Sequence, residues 1–135
     1  MTSEAEDIAR VLNNSKTIAV VGITDDPAKP SHNVPKYLKN AGYRIIPVTS
    51  RYEEVLGQKA YPTLADIPEP VDVVQLFVRS ENTLPYADQA IEIGAKTLWM
   101  QLGISNEETA ERARAGGVDV IMNHCMMVEH KHLHY

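Results

Sequence analysis

The sequence predicts a doubly wound α/β fold, in which helices cover both faces of a five-stranded parallel sheet. Apolar runs alternate along the chain with amphipathic segments at helical spacing, and the run at residues 18–23 has no polar interruption, which is typical of a strand buried on both faces. Right-handed crossovers through such helices make the sheet parallel. Because the chain has 135 residues, we expect residues 1–135 to form a single domain with one compact site.

These patterns place each strand and helix in turn. The strands are the apolar runs at residues 18–23, 44–48, 71–78, 97–102 and 118–122. The helices are the segments with apolar residues at helical spacing, at residues 4–13, 34–41, 82–93 and 105–115. A linker punctuated by prolines, residues 61–72, precedes the third strand.

Glycine, proline and capping residues set several of these boundaries. Gly42 supplies a left-handed cap after the second helix. Pro47 has no N–H, so the second strand either lies near the sheet edge or places Pro47 at its end. Ser105 to Glu108 matches a capping box that begins the fourth helix, which stops at Gly116.

Composition excludes several classes of partner. The net charge of -5, with scattered signs, argues against nucleic acid or an anionic membrane surface as the main partner. The single cysteine excludes an internal disulfide framework and fits a reducing compartment. No apolar run reaches the roughly 18 residues that cross a bilayer, and residues 1–7 do not resemble a signal peptide. We therefore expect a cytoplasmic protein.

The carboxyl ends of parallel strands meet at one edge of the sheet, where nucleotides bind. The segments predicted there are residues 22–31, 49–52, 78–82, 101–105 and 123–125. The acid that usually follows the second strand of an NAD site is missing, and Arg51 stands nearby. A fixed cation there favours a ribose that carries a phosphate. The alternative for Arg51 is a solvated side chain or an ion pair with Glu53 or Glu54.

The first loop, GITDDPAKPS, does not match the G-x-G-x-x-G pattern of dinucleotide sites. Asp25 and Asp26 would repel phosphate unless they point outward. Lys29 and the N–H groups at the start of the second helix are the candidate phosphate ligands. The alternative is a long loop with ordinary solvated charges.

Short matches in the same order cover nearly the whole chain and resemble the small stand-alone CoA-binding proteins. The segments that carry the resemblance are IAVVGIT, KPS, YLKNAGYRIIPV, EEVLGQKAYPTLADIPEPVDVV, GAKTLWMQLGI, and ERARAGGVDVIMNHC followed by Glu129. Those proteins are similar in fold to the CoA-binding domain of the succinyl-CoA synthetase alpha subunit. The resemblance implies a Rossmann-like domain that holds adenosine and pyrophosphate with the loops after strands one to four. By position, the family's first loop falls on Gly22, Ile23 and Thr24, and its turn after strand two on residues 48–50.

CoA or acyl-CoA is therefore the expected small-molecule nucleotide ligand. The 3'-phosphate of CoA lies on the ribose that Arg51 is expected to contact. Gln101, at the end of an apolar strand, is expected to hydrogen-bond either an adenine or pantetheine amide or a neighbouring loop. The full set of candidate binding residues is Gly22, Ile23, Thr24, Lys29, Thr49, Ser50, Arg51, Val78, Arg79, Gln101 and Gly103.

No catalytic or metal-binding residues are predicted. His124 and Cys125 are adjacent on a strand in this interpretation, so their side chains point apart, and Cys125 is expected to be a buried structural thiol. The alternative is that the Cys125 thiol reaches the sheet edge, where thiol exchange with CoA would be possible. Residues 130–135, with three alternating histidines, are expected to form a solvated tail rather than a zinc or nickel site. Trp99 is expected in the core.

These observations favour a non-catalytic protein that binds CoA or acyl-CoA as a regulator or carrier, since they do not predict an active-site constellation. The first alternative is an enzyme, either an NADP-dependent reductase or a subunit of an acyl-CoA ligase that another chain completes. The second is an interaction domain with a vestigial pocket, favoured by the acidic first loop. A protein partner and a homodimer both stay open.

Overall fold

The computed structural model describes residues 3–134, and within them a five-stranded parallel sheet carries the fold. Its order is β2-β1-β5-β6-β7. These strands are β1 (Thr17–Val21), β2 (Arg44–Val48), β5 (Val73–Leu76), β6 (Thr97–Met100) and β7 (Asp119–Ile121). A short antiparallel hairpin of β3 (Glu54–Val55) and β4 (Gln58–Lys59) stands apart from this sheet.

Five helices in the described residues cover the two faces of the sheet. They are α1 (Glu4–Asn14), α2 (Pro30–Asn40), α3 (Leu84–Glu92), α4 (Glu107–Ala115) and α5 (Met126–His134). Alternate residues of β1 point to opposite faces, so Ile18 and Val20 pack with α1, α2 and α5, whereas Ala19 and Val21 pack with α3 and α4. The predicted doubly wound, Rossmann-like architecture is confirmed.

The strands are shorter at their carboxyl ends than the apolar runs suggested. β1 ends at Val21 rather than at Ile23, and β5 ends at Leu76 rather than at Val78. β6 ends at Met100, so Gln101 belongs to the loop that follows. Apolar residues continue past β1 and β5 because the loops there are partly buried: Ile23 is buried, and Phe77 and Val78 are half-buried.

Two predicted helix starts were wrong. α2 begins at Pro30 rather than at residue 34, since proline is well suited to the first turn, where its missing N–H costs nothing. α4 is capped by Asn106 rather than by Ser105, and the Asn106 side chain accepts a hydrogen bond from the Thr109 N–H. Pro47 behaves as expected, because β2 is an edge strand of the sheet.

Residues 130–134 belong to α5, so the prediction of an irregular tail was wrong for them, whereas residues 131–134 are exposed to solvent as predicted. His130 Nδ1 lies 2.8 Å from the Tyr37 hydroxyl, and its ring meets the Tyr37 and Tyr43 rings edge to face. The remaining residue of that segment, at position 135, lies outside the described residues. None of the helices in residues 3–134 has the length and hydropathy needed to cross a membrane.

Candidate functional site

Two cavities open at the carboxyl edge of the sheet, where the loops after the parallel strands meet. The first, here called the turn cavity, has a volume of about 760 Å³ and is lined by residues 49–54 with Lys59, Ala60 and Pro62. The second, the apolar cavity, has a volume of about 770 Å³. Its apolar lining is Val34, Phe77, Leu102, Ile104 and Met127. The loop after β1 follows the strand that lies between β2 and β5, and so belongs between these two regions.

Arg51 in the turn cavity is exposed and unpaired within residues 3–134. Its guanidinium carbon lies 5.9 Å from the centre of the Tyr52 ring. The backbone N–H of Arg51 donates to Thr49 Oγ1 over 3.1 Å. Neither Glu53 nor Glu54 forms an ion pair with it, although both line the same cavity. The ion pair with Glu53 or Glu54 is therefore not formed, and the exposed guanidinium is open to solvent or to an anion.

Gly22 sets the path of the loop after β1. Its φ is +83°, and a Cβ at this position would lie 2.5 Å from the Phe77 carbonyl oxygen at the end of β5. Any side chain would therefore push the loop away from the neighbouring strand. Gly22 is thus required for the close approach of these two loops, and the backbone there is open to a ligand.

The two acidic residues of this loop, Asp25 and Asp26, differ in their contacts. Asp26 Oδ1 accepts the Ala28 N–H over 2.9 Å, so its carboxylate is used within the turn that leads to α2. Asp25 is exposed and forms no hydrogen bond within the described residues. His32 in α2 anchors the loop through a 2.9 Å contact between its Nδ1 and the Thr24 carbonyl oxygen, in which the ring donates.

Lys29 and Arg79 bring positive charge to the apolar cavity. Both are exposed, both line it, and neither has an ion-pair partner in residues 3–134. Lys29 is also the N-cap residue of α2, without a side-chain capping bond. The positive end of the α2 dipole and two side-chain cations therefore favour an anionic group on this side of the site.

Gln101 is a nearly buried polar residue that lines the apolar cavity. It is 4% exposed. Its Oε1 accepts the Met126 N–H and the Gln75 Nε2–H, each over 2.9 Å. Gln75 Oε1 is buried without a hydrogen-bond partner, which is a costly arrangement that a purely structural strand would not need.

The candidate residues divide between the two cavities and the loop between them. Thr49, Ser50 and Arg51 line the turn cavity. Lys29, Val78, Arg79 and Gln101 line the apolar cavity. Ile23 is 3% exposed, so it offers a ligand only its backbone. Gly103 lines neither cavity, and its N–H donates to Asn123 Oδ1 over 2.7 Å.

Sequence reasoning missed several residues that shape the site. Tyr52 contacts both Arg51 and Thr24, and Phe77, Leu102 and Met127 supply apolar lining. Leu102 is 67% exposed in the structure and lines the apolar cavity, but its exposure could not be read from the sequence, where it ends an apolar run. Met127 could not be found, since its helix was not predicted.

Cys125 and His124 differ from the expectation for a strand, because both follow β7 in a turn. The Cys125 thiol is partly exposed and lines the apolar cavity, so it is not a buried structural residue. His124 instead lies 2.8 Å from Glu4 and 3.2 Å from Glu129. Within residues 3–134 no three histidine, cysteine or acidic side chains are grouped to hold a metal.

Comparison with known proteins adds independent findings. The family model described as a CoA binding domain matches residues 16–131. The chain is 43% identical over 128 residues to the uncharacterized protein YneT of Bacillus subtilis, covering 95% of this chain and 94% of that protein. It is also similar to a solved hypothetical protein from Pyrococcus horikoshii OT3, with a TM-score of 0.93, 42% identity, and coverage of 100% and 94% of the two chains.

A larger relative matches only in part. The alpha subunit of acetate–CoA ligase [ADP-forming] II from Pyrococcus furiosus is 42% identical over 66 residues. The match covers 48% of this chain and 14% of that subunit. The present chain therefore corresponds to a small part of the ligase subunit.

Proposed function

This chain belongs to the family of CoA-binding domains, and we propose that it binds CoA or acyl-CoA at the carboxyl edge of its sheet and acts as a regulator or carrier. In this proposal the turn cavity takes the phosphorylated ribose. The loop after β1 and the start of α2 take the pyrophosphate. The apolar cavity takes the pantetheine arm and any acyl group.

The charges around the two cavities fit such a ligand. CoA carries a 3'-phosphate and a pyrophosphate, whereas the chain as a whole has a net charge of -5. The cations at the cavities that lack an ion-pair partner in residues 3–134 are Lys29, Arg51, Lys59 and Arg79. Cations left unpaired on an acidic protein favour local recognition of phosphate over general attraction of anions.

The observation that carries the proposal is the unpaired Arg51 beside the turn after β2. In a Rossmann-like sheet the residues of this turn contact the ribose of the nucleotide, and a guanidinium there can bind a ribose phosphate. NADP carries its phosphate on the 2'-oxygen of the ribose, so Arg51 alone does not separate the two ligands. The match to the CoA binding domain model and the similarity to a CoA ligase subunit favour CoA.

A binding role, rather than catalysis, is supported by how the reactive side chains are used. Cys125 has no hydrogen bond to a histidine within residues 3–134. His32 is committed to the Thr24 carbonyl, and His124 to two carboxylates. A nucleophile needs a base within hydrogen-bond reach, and this arrangement does not provide one.

Calorimetric titration of the full chain with CoA, dephospho-CoA and NADPH tests the proposal. We expect CoA to bind more tightly than dephospho-CoA, because the 3'-phosphate adds a charge-assisted contact. NADPH should bind weakly. Tighter binding of NADPH than of CoA would favour the reductase alternative, and no binding of any of the three would favour a vestigial pocket.

A further inference from the structure

The orientation of the Gln101 side-chain amide is set by its neighbours. A backbone N–H can only donate, so the 2.9 Å contact with the Met126 N–H requires the oxygen of the amide, Oε1, on that side. Gln75 Nε2 donates to the same oxygen over 2.9 Å. The Gln101 amide therefore cannot rotate without losing two buried hydrogen bonds, and its Nε2 is held on the opposite side.

That Nε2 group has no hydrogen-bond partner within residues 3–134, although Gln101 is 4% exposed. Gln101 lines the apolar cavity, together with Phe77, Leu102 and Met127. Gln101 Nε2 is not among the fully shielded polar atoms that lack a partner, so it keeps some contact with solvent and a ligand in the cavity can reach it. The geometry is that of a donor held ready for an acceptor atom of a ligand.

We propose that Gln101 Nε2 donates a hydrogen bond to the thioester carbonyl oxygen of an acyl-CoA, so that the apolar cavity selects acyl-CoA over free CoA. This inference rests on the proposed function and goes beyond it, since it names the form of the ligand that the site prefers. Gln101 is then a specificity residue, and the acyl chain packs against the apolar lining.

A thioester carbonyl satisfies this site better than the amides of the pantetheine arm. Each pantetheine amide carries an N–H that needs an acceptor, but Gln101 Oε1 is already occupied by two donors. A thioester carbonyl has lone pairs and no N–H, so a donor-only side chain satisfies it completely. The adjoining apolar residues then cover the hydrocarbon part of the acyl group.

The buried Gln75 gains a role from the same arrangement. A glutamine in the middle of β5 with an unpaired Oε1 weakens the core. Its Nε2 nevertheless donates to Gln101 Oε1 and so helps to fix the orientation of the Gln101 amide. A positioning function explains why a polar pair stands where two apolar residues would pack without an unsatisfied atom.

The test compares thioesters with matched thioethers, in which a CH₂ group replaces the carbonyl. Acetyl-CoA and butyryl-CoA are titrated against S-ethyl-CoA and S-butyl-CoA, with free CoA alongside. The unmodified protein should bind each thioester about three- to tenfold more tightly than its thioether, as for one hydrogen bond. Gln101→Met, similar in length but without the amide, should abolish this ratio. Gln89→Met, the same substitution on α3 and outside both cavities, should preserve it.

The ligand comparison in the unmodified protein holds even if Gln101→Met does not fold. Equal affinity for thioester and thioether, together with CoA binding, would overturn the inference and leave the proposed function in place. Retention of the ratio in Gln101→Met, or its loss in Gln89→Met, would equally overturn it. Failure of every CoA compound to bind would overturn the proposed function as well.

Discussion

The Thr24 hydroxyl and the Tyr52 hydroxyl lie 3.3 Å apart and join the loop after β1 to the turn after β2. Thr24 is buried, and its carbonyl oxygen is held by His32. Tyr52 also lies beside the Arg51 guanidinium. This contact, together with the hydrogen bond from the Gly22 N–H to the Val48 carbonyl oxygen, connects the proposed pyrophosphate region with the proposed ribose-phosphate region, so it helps to set their spacing.

We expect Tyr52→Phe to weaken CoA binding about two- to tenfold, because the hydroxyl contact between the two loops is lost while the ring beside Arg51 remains. A neutral hydrogen bond contributes about 0.5 to 1.5 kcal/mol. Calorimetry gives the affinity, and thermal unfolding gives the stability of the same variant. Tyr86→Phe, on α3, is the matched control, since that tyrosine lines neither cavity. An equal loss in both variants would contradict the role of Tyr52.

Arg51→Ala should remove most of the preference for CoA over dephospho-CoA. A hydrogen bond to a charged group contributes about 1.5 to 3 kcal/mol, or roughly 10- to 150-fold in affinity. Arg114→Ala is the control, because Arg114 is exposed on α4 and lies in neither cavity. If the unmodified protein binds the two ligands equally well, Arg51 does not contact the 3'-phosphate.

Asp25→Asn should tighten CoA binding about twofold at low ionic strength, because an exposed carboxylate near the pyrophosphate is neutralised. Two unit charges roughly 8 Å apart in water interact by about 0.5 kcal/mol, and salt screens this energy. Glu111→Gln on α4 controls for the change in net charge. Affinity that does not change at low salt would mean that Asp25 faces away from the ligand.

Asp26→Ala should behave differently from Asp25→Asn, since the Asp26 carboxylate accepts the Ala28 N–H within the turn. Losing this bond should weaken CoA binding through disorder of the turn, at every salt concentration. Asp26→Asn, which keeps an acceptor oxygen, should restore the affinity. Comparison of the three titrations separates charge repulsion from loop structure, and a weaker Asp26→Asn protein would contradict this assignment.

The general architecture and the edge that carries the site could be predicted because each rests on local patterns. The buried run at residues 18–21 predicts a strand by itself, and Arg51 follows a strand by three residues. The role of Gln101 could not be predicted, because it depends on Met126, 25 residues away. α5 was missed because His130 and His134, four residues apart, fit one helix face as well as alternate positions of an extended chain.

Asp72→Asn should destabilise the protein at neutral pH by about 1 to 3 kcal/mol. Burial raises the pKa of the Asp72 carboxyl, but the N–H groups of Lys16 and Thr17 and the Lys96 ammonium outweigh this, so the pKa lies below its ordinary value. A lowered pKa in the folded state means that the stabilisation is present above the unfolded pKa and is lost as pH falls through the folded one. Urea unfolding should therefore separate the two proteins at pH 7 and bring them together near pH 2.

His130 is expected to make the fold less stable in mild acid. Burial, with a smaller effect of the His134 charge, lowers the pKa of His130 below its ordinary value. The unfolded chain then binds the proton more readily, so the stabilisation is complete above the unfolded pKa and is lost as pH falls from there toward the folded pKa. Protonation would also disturb the 2.8 Å contact between His130 Nδ1 and the Tyr37 hydroxyl.

His130→Phe, which keeps an aromatic ring against Tyr37 and Tyr43, should reduce the loss of stability between pH 7.5 and 5.5, whereas His132→Phe should not. His132 is the matched control because it is exposed on the same helix. Truncation after Glu129 should lower the melting temperature by several degrees, since it removes these ring contacts from the core formed with α2. Urea unfolding at the two pH values checks the variants. Equal pH dependence in all three proteins would mean that α5 is fixed to α2 by packing alone.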